Sequence, residues 1–224
     1  MIGETSLSGN KNKHYNKIKT WTEHIQIYRD FLSTLGWKGD IKETHEDTGK
    51  GRKLNLSAGS IITLEEFLLL KGKGEDKGKG MNYEEVELLI LQIGQQMMVL
   101  EKYKKGIFFL NLTDIIVIDE KFFLLDNVDH VLNRYKQEQL LLSYPMKFTK
   151  ADERFLAPEL KGGVKTLPFY ASVTVGYYSL AKLCIYCLML DDEDNLDPLK
   201  GSKMYFFLLR CLQVKPEERY FLYL

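Results

Sequence analysis

Across residues 83–105 the apolar residues Val86, Leu89, Ile90, Ile93, Met97 and Leu100 recur three and four positions apart. That period puts them on one side of a long helix, whose length suits the central packing element of a globular domain. Three short apolar runs follow: IFFL from Ile107, IIVI from Ile115 and FFLL from Phe122. Only Asp119, Glu120 and Lys121 separate the last two, which is a hairpin signal. Unbroken apolarity predicts strands buried on both faces. A helix and a hairpin that must both be covered require a real core, and an apolar content of 45% over 224 residues can supply one.

The other segments arrange themselves around this centre. Residues 1–14 are polar and expected to be loose. From Ile18 onward, Trp21, Ile25, Tyr28, Leu32 and Leu35 predict an amphipathic helix over residues 15–35 that stops at Gly36. Residues 36–53 read as loop, with at most a short strand before LNLSAGS. Thr63 should cap a short helix, with Glu66 as its capping-box partner. The tract KGKGEDKGKG at 71–80 lacks the G-x-x-x-x-G-K-[ST] spacing of a phosphate cradle and reads as a solvated linker. After Asp126 the chain should be irregular to about residue 156, then helical in YYSLAKLCIYCLML and KMYFFLLRCLQV. The expected class is α+β, mainly helical with a small hairpin at its heart.

Lys and Arg number 31, as do Asp and Glu, so no global field points to nucleic acid or an anionic membrane. Cys184, Cys187 and Cys211 are an odd number on apolar segments, which is not a disulfide framework. The C-x-x-C of Cys184 and Cys187 reads as core packing, because no second pair completes a zinc site. No apolar leader and no membrane-length apolar window occur, so an intracellular protein, cytoplasmic or nuclear, is expected. The sequons at Asn55 and Asn111 are then chance matches.

Several ordered motifs resemble the protein-kinase fold over roughly residues 60–220. SIITLEEFL is similar to the segment after the hinge between the two lobes, and the helix from Tyr83 to the one before the catalytic loop. GIFFLNLTDIIVIDEKFFLLDN stands where kinases carry His-Arg-Asp, a hairpin and Asp-Phe-Gly. FLAPEL resembles the Ala-Pro-Glu end of an activation segment, GYYSLAKLCIYCL the D-x-W-S-L-G helix, and CLQVKPEER the closing x-P-x-x-R. The resemblance implies a residual small lobe at 1–58 and a kinase-like large lobe at 59–224.

It also implies roles for particular residues. Glu159 should pair with Arg219, and breaking a buried pair of this kind costs roughly 3–5 kcal/mol. The His-Arg-Asp triplet aligns with Phe109, Leu110 and Asn111, so the aspartate that accepts the substrate proton becomes an amide, and general-base help is worth about 10² to 10⁴ in rate. The metal-binding loop asparagine aligns with Ile116, or with Asp114 if the loop is two residues shorter. Asp126 stands at the metal-binding aspartate, followed by Asn127-Val128 in place of Phe-Gly. Gly176 replaces the aspartate that ties down the catalytic loop. Nothing in residues 1–60 matches a glycine-rich loop or V-A-I-K; Glu23 or His24 falls near the helix glutamate, and Lys19 is the nearest candidate lysine. The expected function is therefore a pseudokinase that binds another protein, with no cofactor, no nucleic acid and no membrane. The alternatives are a divergent Ser/Thr kinase or ATP-binding phosphotransferase using ATP and magnesium, and a peptide-binding module like the kinase non-catalytic C-lobe domain.

Overall fold

The computed structural model describes residues 17–45, 52–72, 80–124, 128–136, 138–189 and 195–221. Among them lie five α-helices and three small antiparallel sheets, an α+β arrangement. The first sheet takes β1 (Lys17–Trp21), β2 (Ile41–His45) and β3 (Arg52–Ala58) in the order β1-β3-β2, with α1 (Ile25–Thr34) between β1 and β2 in sequence. Leu54, Leu56 and Ala58 of β3 point inward, and α1 lays Ile27, Tyr28, Phe31 and Leu32 into the same core. Trp21 stacks on Tyr28 with ring centroids 4.6 Å apart.

Here the sequence expectation fails. The helix predicted over 15–35 is a strand, a turn and a shorter helix. Lys19 and Trp21 alternate with Ile18 and Thr20, and β3 is available to pair with them, Lys19 opposite Leu56 and Trp21 opposite Leu54. A distant partner thus overrides a local period. His24, at φ 53°, turns the chain before α1 starts. Residues 36–53 do hold the short strand that the sequence allowed, β2, which pairs with β3, Ile41 opposite Leu56.

After Gly59 and Ser60 come β4 (Ile61–Thr63), α2 (Leu64–Lys71), α3 (Tyr83–Lys102), β5 (Lys105–Ile107), β6 (Ile115–Ile118) and β7 (Lys121–Leu124). Thr63 and Glu66 close the capping box of α2, and Asn82 with Glu85 closes one on α3. The second sheet runs β4-β6-β7. Its β7 edge is not left open. Phe122 N–H donates to Gln92 Oε1 at 2.7 Å and Leu124 N–H to Gln96 Oε1 at 2.8 Å, while Gln96 Nε2 returns a bond to Phe122 O at 2.9 Å. Two buried amides on α3 stand in for a missing strand, which satisfies the backbone without a further chain segment.

The third sheet joins β5 to β8 (Val131–Lys136), β9 (Gln139–Leu142) and β10 (Phe169–Ser172) in the order β10-β9-β8-β5. The expectation of irregular chain from 126 to 156 is corrected: β8 and β9 form a hairpin there, with Leu140 and Leu142 buried on its inner face. Finally α4 (Val175–Leu188) and α5 (Lys203–Cys211) complete the core. Cys184, Cys187 and Cys211 are all buried free thiols, pushed upward in pKa by burial. No helix among the described residues is long and apolar enough to cross a membrane.

Candidate functional site

The loop from β5 to β6 carries the candidate site. Phe108, Phe109 and Leu110 are buried, so the loop is anchored by its apolar half and turns polar at Asn111. Asn111 Oδ1 accepts from Thr113 N–H at 2.9 Å, Thr113 Oγ1 at 2.7 Å and Asp114 N–H at 3.1 Å. In return Asn111 N–H donates to Asp114 Oδ2 at 2.7 Å, closing the turn from both ends. Asn111 Nδ2 donates to Asp152 Oδ1 at 3.3 Å, and Asp152 in turn caps Thr149, N–H to Oδ2 at 2.8 Å. The amide therefore has a structural job at both of its ends.

Asp114 is 0% exposed. Its Oδ2 lies 2.7 Å from His130 Nδ1, and that ring rests edge-on against Phe109 at 4.8 Å. A carboxylate can only accept, so this contact requires the proton on Nδ1. The other oxygen, Oδ1, is buried with no hydrogen-bond partner. Ile116 lies inside β6 opposite Phe123, wholly within the apolar core. Asp126 lies outside the described residues. Among the described residues no group of three or more His, Cys, Asp or Glu side chains is placed to hold a metal ion.

Gly176 opens α4 against the same loop. A Cβ there would sit 2.6 Å from Ile107 O and 3.0 Å from Ile107 Cβ, so the helix start approaches too closely for any side chain. The loop is tied down one turn later instead. Ser179 Oγ accepts from Leu110 N–H at 2.9 Å and donates to Leu110 O at 3.2 Å, a buried two-way clasp. Sequence reasoning missed Ser179, as it missed His130. Ser179 follows Gly176 at the helical spacing of three and stands at the serine of the D-x-W-S-L-G resemblance, which are the signals that could have found it.

Lys19 sits on strand β1, not on a helix as expected, and partial burial pulls its pKa down. Glu23 and His24 both precede α1 and are exposed. The inward acid of this first sheet is Glu43 on β2, paired with Arg29 of α1 and 3.8 Å from Arg52.

Glu159 and Arg219 do meet. Arg219 Nη1 and Nη2 donate to Glu159 Oε1 and Oε2 at 2.6 and 2.8 Å, the bidentate fork that matches a carboxylate. Arg219 is 2% exposed, and it also donates to Gln213 O and Val214 O and lies 5.0 Å from the Tyr178 ring. Each of the three guanidinium nitrogens thus donates a hydrogen bond, and the Tyr178 ring lies over the group.

A cleft of about 540 Å³ lies elsewhere, between the segment after α1 and the β6–β7 turn. Trp37, Asp40, Ser57, Asp119 and Lys121 line it, and none of the candidate site residues read from the sequence does. No protein-family model matches this chain, and no curated protein matches it in sequence.

Proposed function

We propose that this chain is a catalytically inactive, kinase-like protein whose work is to bind another protein. The closed loop 111–114 carries the reading. Asn111 holds the position of the proton-accepting aspartate, has no useful basic site, and its oxygen is already taken by Thr113 and Asp114. Asp114, the loop's remaining carboxylate, is turned inward onto His130, away from any bound metal. Phosphoryl transfer depends on positioned charge around the phosphates. A loop whose polar groups are mostly turned onto one another, with Asp114 Oδ1 buried and unpaired, offers little of it.

Support for the kinase-like frame comes from order and geometry together. Helix α1, the connection at Gly59, long helix α3, the polar loop, the β6–β7 hairpin, Glu159, α4 and Arg219 follow one another as the resemblance expects, and the strand bearing Lys19, read from the sequence as helix, precedes them. The sheet and helix ahead of Gly59 favour a reduced whole kinase over an isolated large lobe.

One observation favours a second reading, nucleotide binding without turnover: Lys19 is half-buried on the strand that precedes α1. A thermal-shift titration with ATP and magnesium or manganese, followed by radiolabel transfer to the protein and to a generic acceptor, separates the readings. The expected result is no transfer. A shift lost in Lys19→Ala supports nucleotide binding alone; transfer lost in Asp114→Asn would overturn the inactive reading.

A further inference from the structure

The outward face of α3 holds a second pattern, independent of the site above. Glu84, Leu88, Leu91, Gln95, Met98 and Lys102 follow one another at steps of four, three, four, three and four. At 100° per residue these six positions fall within an arc of about 80°. Three of them are apolar and reach solvent: Leu88 is 38% exposed, Leu91 39% and Met98 47%. The opposite face of α3 already serves the core through Val86, Leu89, Ile90 and Ile93, so this stripe contributes nothing to it. The three-four step is the seam spacing by which one helix packs along another.

The ends of the stripe select the occupant. Glu84 lies at the N-terminal end and Lys102 at the C-terminal end, both exposed, and neither makes an ion pair among the described residues. Reversing the helix onto itself about residue 93 sets Glu84 against Lys102, Leu88 against Met98, and Leu91 against Gln95. The charged pairing at the ends and the apolar pairing inside them are then complementary, and the Gln95 amide meets Leu91 at the half-exposed centre. A parallel arrangement would set Glu84 against Glu84 and Lys102 against Lys102. Self-complementarity under a two-fold rotation is the requirement of an isologous dimer.

We propose that the chain self-associates through this stripe, two copies packing α3 against α3 in antiparallel fashion with the two-fold axis near Ile93. The stripe is roughly 27 Å long at 1.5 Å per residue. One helix pair of that length lies at the small end of specific interfaces, so the dimer should be reversible, with a Kd on the order of micromolar or weaker.

Sedimentation equilibrium over a concentration series tests this on the full chain. The weight-average mass should rise from 26.1 kDa toward twice that value. Glu84→Lys or Lys102→Glu alone places like charges at both ends of the pair and should weaken association roughly tenfold, while the double variant should return to within about threefold of the natural chain. Mixing the two single variants should also restore association, because each then meets its opposite at both ends. Leu91→Arg, at an exposed site, should abolish the dimer without shifting the melting temperature, which guards against a swap that disturbs the helix. A monomer at every concentration up to about millimolar overturns the proposal. So does an unrestored mixture of folded single variants.

Discussion

Arg219 is a charge removed from water, and it survives there because each of its three guanidinium nitrogens donates to an acceptor. Two bonds reach Glu159, two more reach the carbonyls of Gln213 and Val214, and the Tyr178 ring covers its plane. Arg219→Ala should therefore cost about 3 kcal/mol, the lower end for a broken buried pair because Glu159 keeps some solvent contact. A urea denaturation midpoint measures it, and a loss under about 1 kcal/mol would mean that the fork is ornamental. This pair was legible from Ala157-Pro158-Glu159 and the late Arg219 once the motifs were seen together. Ser179 and His130 were not. Their roles depend on what they meet, the Leu110 backbone and the Asp114 carboxylate respectively, and neither meeting has a sequence spacing to reveal it.

Elements differ in how far their neighbours decide them. Helix α3 was readable because its period, its capping box at Asn82 and Glu85, and its length all agree. Strand β1 was misread because Trp21, Ile25 and Tyr28 continue a helical spacing across a turn, and only pairing with β3 reveals the strand. The edge of β7 belongs to the same class of hidden features. Gln96 sits amid an apolar stripe where a leucine would look equally fitting, yet it holds Leu124 N–H and Phe122 O. Gln96→Leu should leave both groups unpaired and cost about 1–3 kcal/mol per group at most. Hydrogen exchange should be faster at Leu124, whereas unchanged protection there would show that the glutamine is not what seals the edge.

For the molecule as a whole, burial of ionisable groups makes stability fall in alkali. Tyr28 is pushed up to about 12, first by burial and then by Glu23, and Cys211 to about 12 by burial, with Arg219 opposing. A raised folded-state pKa means that the folded protein holds its proton longer than the unfolded chain does. The stabilisation is complete below the unfolded pKa, near 9 for a thiol and 10 for a phenol, and is lost as pH rises toward 12. Each such group should contribute a slope of up to about 1.4 kcal/mol per pH unit in that window. Chemical denaturation between pH 8 and pH 11 should show the decline beginning near pH 9, and Tyr28→Phe should flatten it above pH 10. Tyr28 in α1 and Cys211 in α5 show no electrostatic coupling to each other, so their contributions to the loss should add. By itself the sequence determined the buried helix α3, the β6–β7 hairpin and the cysteine-bearing core helix, because periodicity is a local property, and it pointed to the pair Glu159 and Arg219 only through the kinase resemblance. Tertiary structure alone decided that β1 is a strand, that β8 and β9 form a hairpin, that Gly176 admits no side chain and that Asp114 turns inward onto His130. Those outcomes depend on which distant backbone or side chain arrives alongside, and a linear period carries no record of that.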